Sequence, residues 1–574
     1  VLPVQHIGGF FLFQIPLYLF TFARHIGLLM IELGLWGFGN ALAQQITKSP
    51  NPQIPNSTIL PLMSFIIGAI IQQSAKIGAF VVQPRQSPIQ LQEQQLRDLL
   101  WEARHTAIGM EYDFKDVWRS EDVQRAFKSA VPVMDYQALY DRWWSRAHLD
   151  DEPDVCWPGI IPYFALSSGT SQASTKYLPL TEDLLRGMKR GSRRLFYDMA
   201  RYYALAPEHF TKQMLMVGSC TQQKRVGYHW EGDLSGIMGM NRPRILERSY
   251  RPGRHITDLP EWGERIERIA EEAPQWDIGF SVSNPMWLQL ILERIIEKHK
   301  LAHINEIWPS FNVFIHGGVP IEPYKPTLAP LFGNPILYVD SYGASEGFLA
   351  YQERPDHRPM KLLNDCGTYF EFVPFDDENF DDNGELRSNQ PRSLDLSEVE
   401  TGKHYAILLS TVAGAWRYLL GDTVQFTDTE KAEIRITGRT KQFLSACGEH
   451  ISIDNLCDAV RAVDERLHAG IGEFAVTSLR EGTFWAHQWY ISAENQSLSS
   501  ETLVNALDEE LCRLNEDYAV ERRYALRAVH AQLLPNQVFL DWLNQRGKLN
   551  GQAKIPRVLK GKQLDDFKTF IGKK

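Results

Sequence analysis

The sequence predicts an α/β protein: a large N-terminal domain with β-sheets flanked by helices plus a β-barrel-like part, then a small C-terminal α/β domain. Three observations lead there. Short apolar runs such as Met214–Val217, Phe311–His316 and Ile336–Asp340 alternate with helical stretches and end in small residues, the pattern of a sheet that binds ligands at its strand ends. From Gly367 to Thr437 short strand patterns follow one another with little helix between them, which reads as antiparallel or barrel-like structure. Beyond Gly438-Arg439 lies a compact unit of helix, two strands, helix and strand.

Taken in order, residues 7–23 carry no charge, and a second apolar run spans 26–43 with Glu32 inside it. Each is at or just below the length of a bilayer span. Three readings follow: membrane association through residues 7–43, helices docked on an apolar surface, or sequence upstream of the true start. A Pro/Asn/Ser/Thr-rich linker (residues 47–58) closes this extension, giving expected segments of 1–58, 59–437 and 438–574. Ile59–Val82 reads as an amphipathic helix at a domain edge, and Leu96, Leu99, Leu100 and Ala103 mark one face of the next helix. The aromatics of 114–146 are expected in a core.

Next comes Leu166-Ser-Ser-Gly-Thr-Ser-Gln-Ala-Ser-Thr-Lys176, expected between an extended run and a helix opening at Thr181. Its backbone N–H groups, hydroxyls and one mobile cation suit a polyphosphate. The loop of ordinary nucleotide hydrolases needs a second glycine and a Ser or Thr after the lysine, and both are missing. By itself the stretch reads equally as a solvated Ser/Thr turn.

The formal net charge of −10 and pI near 5.9 leave no broad electrostatic footprint for nucleic acid. Six scattered cysteines without a Cys-x-x-Cys spacing point to a reducing, cytoplasmic compartment and away from a cysteine zinc site or a disulfide framework. His487, beside Trp489, is expected to face solvent from a strand.

Six motifs recur in a fixed order: Ser167-Ser-Gly-Thr-Ser171 with Lys176, Gly317-Gly318, Tyr342-Gly-Ala-Ser-Glu346, Trp416-Arg-Tyr-Leu-Leu-Gly-Asp422, Gly438-Arg439, and Lys554. The succession resembles the adenylate-forming superfamily and, within it, the auxin-responsive acyl-acid amido synthetases, over about residues 90 to 574. The resemblance implies ATP and Mg²⁺ as cofactors, and a carboxylic acid and an amino acid or other amine as substrates. Ser167, Ser168, Gly169, Thr170 and Ser171 would hold the β- and γ-phosphates, with Lys176 as counter-charge. Gly317 and Gly318 would admit the adenine, Tyr342 would stack on it beside Gly343, Ser345 would bond the α-phosphate, and Glu346 would hold the metal. Asp422 would accept the ribose hydroxyls, Arg439 would contact the ribose or act at the hinge of a mobile small domain, and Lys554 would stabilise the transition state. The acyl pocket is expected between residues 283–287 and the loops at Gly317 and Tyr342. Ala173 stands where the family carries glycine, which would strain the loop if that position needs positive φ. Alternatives are a thioester-forming acyl-CoA synthetase and a catalytically silent nucleotide-binding protein.

Overall fold

The computed structural model describes residues 56–574 except 169–174, 217, 219–222, 243, 260, 382–383, 441–443, 445–448, 450, 482–483, 496, 525, 547–553 and 573–574. The expected apolar segment at 7–43 lies outside the described residues, as do Gly169, Thr170, Ser171 and Ala173. Contacts divide the chain into 1–67 and 68–574, nine residues beyond the expected boundary at 58/59.

The first described helix, α1 (Asn56–Val82), is apolar enough over Ser64–Val82 to match a bilayer span in length. Its latter part is two-faced, as the sequence suggested. Ala75 is buried and Gln72 donates to the Leu205 carbonyl at 3.1 Å, whereas Ile77, Phe80 and Val81 are exposed. Helix α2 (Pro88–Ala103) starts at a capping box of Ser87 and Gln90 with proline at its first position. It buries Leu96, Leu99, Leu100 and Ala103, the face its periodicity marks. A run of short helices, 107–149, then builds an aromatic core around Trp143, Trp144 and Trp416.

Strands β1 (Tyr163–Ser168) and β2 (Thr175–Leu180) form an antiparallel hairpin, with Ser167 opposite Lys176. The sequence suggested a strand, a loop and a helix here. Instead a second strand intervenes before α3 (Glu182–Tyr202). Thr175 and Tyr177 after the loop favour a strand, and Pro179 is tolerated because β2 is an edge strand. Strands β4 (Lys224–Val226) and β5 (His229–Gly232) complete this sheet in the order β2-β1-β5-β4.

The main sheet has eleven strands. Its parallel half comprises β3 (Gln213–Met216), β6 (Tyr250–Arg251), β7 (Ile278–Ser283), β8 (Val313–Gly317) and β9 (Leu337–Ala344). Between β7 and β8 runs α4 (Pro285–His299), capped by Asn284, whose side chain accepts from the Met286 N–H at 3.0 Å. Such a cap contributes about 1 kcal/mol. At β9 the pairing changes sign: β10 (Gly347–Gln352), β11 (Met360–Leu362), β12 (Thr368–Pro374), β13 (His404–Thr411), β14 (Tyr418–Asp428) and β15 (Glu433–Arg439) are all antiparallel to their neighbours. The antiparallel strands expected for the barrel-like part are therefore present, hydrogen-bonded into the same sheet as the parallel ones and folded around one shared apolar core. Gly438 and Arg439, expected to open the small domain, are the last residues of β15.

Beyond 450 a three-stranded sheet, β16 (Ile471–Glu481), β17 (Phe484–Ala493) and β18 (Leu526–Leu533), packs with α5 (Ile453–Leu467) and α6 (Ser500–Leu514). Helices α7 (Asn536–Gln545) and α8 (Gly561–Ile571) follow. The small domain does not stand apart. One apolar core runs from Trp287, Phe314 and Ile321 of the large domain to Phe539, Ile555 and Phe567 of the small one.

Candidate active site

The parallel strands end at a cleft, where β8 delivers Gly317 and Gly318. Gly318 has φ +83°, a region that favours glycine. A Cβ on Gly317 would lie 2.4 Å from the Ser341 carbonyl oxygen. The two glycines thus keep this rim flat enough for a planar group to approach the backbone. Lys554 comes from the tail of the small domain, and its Nζ lies 3.2 Å from where a Gly318 Cβ would be. It opens on the cleft, yet protein surrounds it. Poor solvation and then Arg439 lower its pKa to about 8, against the opposing pull of Asp422.

Asp422 on β14 faces Arg439 on β15, paired in register, with Arg439 Nε 2.8 Å from Asp422 Oδ1. The other carboxylate oxygen accepts from the Tyr342 hydroxyl at 2.6 Å. Each oxygen keeps a second lone pair, so the carboxylate can still receive a pair of hydroxyls. Tyr342 was expected to stack on an adenine, but its ring is 5% exposed, within the core beneath the sheet, and its hydroxyl orients Asp422. Arg439, expected at the ribose or at a hinge, is the last residue of β15 and is paired with that carboxylate.

Ser345 and Glu346 form the tip of the β9–β10 hairpin, where a loop after a strand was expected. Gly343, on β9, has open space above it. Glu346 accepts from the buried Tyr418 hydroxyl. Burial raises its pKa, as does Asp422, while Lys176 and Arg439 pull the other way. Lys176, on β2, also lies 5.1 Å from the centre of the Tyr136 ring, a cation–π contact. Ser167 and Ser168 end β1 across from it. Hence the hairpin, the β9–β10 tip, β14, β15 and the small-domain tail bring two carboxylates, Glu346 and Asp422, and three cations together.

The rest of the Trp416–Asp422 motif is explained by support. Trp416 is fully buried and donates to the Cys156 carbonyl at 3.1 Å. Arg417, at φ +42°, is buried with Glu371 at 3.0 Å and donates to the Val131 carbonyl and the Ser393 hydroxyl. Tyr418 then reaches Glu346, and the strand carries on to Asp422.

Several neighbours of the site escaped the sequence reading. His316 and Asp340 sit beside Ser283, the first residue of the expected acyl pocket, on β8, β9 and β7. Burial takes His316 down to about 3, so it is neutral, and takes Asp340 up to about 7, with Glu322 adding repulsion. At the domain junction Tyr324 of the large domain donates to Glu473 Oε1 at 2.8 Å, and Arg557 donates to Glu473 Oε2 at 2.5 Å. All three are buried, and Arg557 is three residues from Lys554. Trp287, placed by the sequence in an acyl pocket, is 2% exposed and stacked on Trp262 at 4.3 Å. His487, expected in solvent, is fully buried against Glu449 at 3.0 Å.

The fold is shared with a GH3.15 acyl acid amido synthetase, which superposes with TM-score 0.66 at 16% identity, over 84% of this chain and 93% of that one. A 2-hydroxyisobutyryl-CoA ligase in its postadenylation state follows at TM-score 0.54 and 14% identity, over 84% of this chain and 90% of that one. Models of the GH3 family N-terminal, central and C-terminal domains match residues 80–250, 361–439 and 454–563. The chain belongs to the GH3 family. Among curated relatives, jasmonoyl–L-amino acid synthetase GH3.5 of Oryza sativa subsp. japonica is 32% identical over 282 residues, 45% of this chain and 47% of that protein. Indole-3-acetic acid-amido synthetase GH3.2 of Arabidopsis thaliana is 28% identical over 439 residues, 64% of this chain and 76% of that protein. The matches with the first of these relatives span about half of their length.

Proposed function

We propose that this protein uses ATP to adenylate a carboxylic acid and then passes the acyl group to an amine, with an amino acid as the favoured acceptor. The observation that carries this reading is the meeting of Lys554 from the small domain with Gly318, Asp422 and Arg439. The amido synthetases among the relatives support the acyl acid and amino acid substrate classes.

In the first step a carboxylate oxygen forms a bond to the α-phosphorus of ATP and the bond to the bridging oxygen of pyrophosphate breaks. Charge grows on the leaving oxygen and on the five-coordinate phosphorus. Ser167, on β1 opposite Lys176, and Lys176 itself would serve the leaving group, and Lys554 the phosphorus, which is electrostatic stabilisation of developing charge. Asp422, held by Tyr342 and Arg439, fixes the ribose and with it the line of attack. Glu346 offers the hard oxygen donor that Mg²⁺ requires, and a bound Mg²⁺ would neutralise phosphate charge. In the second step the amine nitrogen attacks the acyl carbon, AMP leaves, and the amine gives up a proton. Asp340, titrating near neutrality at the strand ends, is equipped to take that proton.

Pyrophosphate exchange with aromatic, indolic and fatty acids tests the first step, and product analysis with amino acids against coenzyme A tests the second. Exchange followed by thioester formation alone overturns the amide reading. Nucleotide binding without exchange for any acid overturns the enzyme reading. The free described cysteines support a cytoplasmic site, and the exposed apolar face of α1 supports attachment to a membrane surface. Flotation with lipid vesicles checks the latter, and failure to float removes it.

A further inference from the structure

Outside the cleft, a second cluster of polar side chains lies at the base of the β1–β2 hairpin. His229 and Glu231 are two residues apart on β5, so both point to the same, buried face. His148 approaches from the helical run that ends at Leu149. The three are 0%, 9% and 6% exposed, and one ligating atom from each lies within 4.8 Å of the others. His148 Nε2 is 2.9 Å and His229 Nε2 is 3.5 Å from the same Glu231 oxygen.

The second nitrogen of each ring is already spoken for. His229 Nδ1 is 2.8 Å from Asp151 Oδ1, and His148 Nδ1 is 2.8 Å from the Tyr140 hydroxyl. Both imidazoles are thereby turned so that Nε2 faces Glu231. Orientation of ligand histidines by a carboxylate or hydroxyl on the far nitrogen is the habit of metal sites. Tyr140 opens a π-helical turn, Tyr140–Trp144, a distortion that recurs at functional sites. His229 Nε2 is fully buried without a hydrogen-bond partner among the described residues. A buried polar atom left in that state is unfavourable, and a cation would satisfy it.

We propose that His148, His229 and Glu231 bind one divalent transition-metal cation of the zinc class. Two imidazole nitrogens and a carboxylate oxygen are a donor set that zinc accepts, leaving a fourth position open. Tetrahedral zinc with bonds of about 2.0–2.1 Å separates its ligand atoms by about 3.4 Å, and the two histidine–Glu231 separations, 2.9 and 3.5 Å, bracket that spacing. The ion would tie β5 to the helical run. Through Tyr177, stacked on His148 at 4.3 Å next to Lys176, it would also steady the foot of the phosphate-side hairpin. The proposal stands apart from the reading of the cleft.

The test is to strip the full-length protein with chelator and titrate it with Co²⁺ or Zn²⁺ alone, following Co²⁺ d–d absorption and bound metal by mass spectrometry. One equivalent is expected, with intense tetrahedral cobalt bands and a higher melting temperature. His229→Gln and Glu231→Gln should abolish the bands. Asp151→Asn should weaken Co²⁺ binding about 10- to 100-fold, with circular dichroism verifying that each variant is folded. Substoichiometric metal in the wild type, or unchanged Co²⁺ binding in folded His229→Gln, overturns the proposal.

Discussion

Raising the pH should switch off the first half-reaction through Lys554. Its ammonium titrates at about 8, because the cleft solvates it poorly and Arg439 repels it. With that value about 90% of the free protein carries the charge at pH 7 and about 10% at pH 9. If adenylation needs the charge, kcat/KM for ATP in pyrophosphate exchange should fall about tenfold across that interval with a slope of one. Exchange measured as kcat/KM is the right readout because it reports groups of the free enzyme, before ATP phosphates alter the lysine. Lys554→Arg keeps a cation at every pH in the range, so its residual exchange should lose the alkaline limb. Lys554→Ala should lose about 10²–10³ in rate at pH 7 and be flat. An alkaline limb at the same midpoint in Lys554→Arg, or full exchange by folded Lys554→Ala, refutes the reasoning.

The second step should respond to pH with the opposite sign, since the base form of Asp340 grows through about 7. Amide formation should therefore rise towards pH 7 and fall above 8, and Asp340→Asn should slow it while leaving pyrophosphate exchange intact, measured on the same preparation. Tyr324→Phe removes the hydroxyl that reaches Glu473 across the domain junction. A hydrogen bond to a buried carboxylate contributes about 1.5–3 kcal/mol, so exchange should drop about 10- to 100-fold; unchanged exchange would show that the contact does not hold Lys554 in place. Arg417→Ala strands Glu371 as a buried, unpaired charge. It should cost about 3–5 kcal/mol, read as a lowered urea midpoint, and no change in midpoint would contradict the support role given to this pair.

The order of the motifs was legible because each sits at a turn or strand end, where glycines, hydroxyls and charges stand out from apolar runs. Asp422, Arg439 and Lys554 meet as that order suggested. The hairpin at 163–180 was missed because Pro179 argues against a strand unless it is known to be an edge, and edges are a tertiary fact. Tyr342 looked like a stacking surface, since nothing local says which way a strand tyrosine points. Only the tertiary arrangement, which brings β9 and β14 together although three strands lie between them in the sheet order, turns its hydroxyl onto Asp422. Partners such as Tyr324 and Glu473 are 149 residues apart, a distance no spacing rule spans. His487 shows the converse error. A polar residue on an alternating strand was assigned to water, whereas a buried carboxylate was waiting for it.

The junction between the two domains joins unlike kinds of contact. Apolar packing is without direction, so the core shared by Ile321, Phe539 and Ile555 holds the two domains together without by itself fixing the angle between them. The Tyr324–Glu473 bond depends on alignment, and it acts as a catch that holds at one angle and releases at others. Together with the Arg435–Asp454 pair at 2.9 Å, the catch sets the angle between the domains. It also ties the reach of one lysine to the setting of one tyrosine.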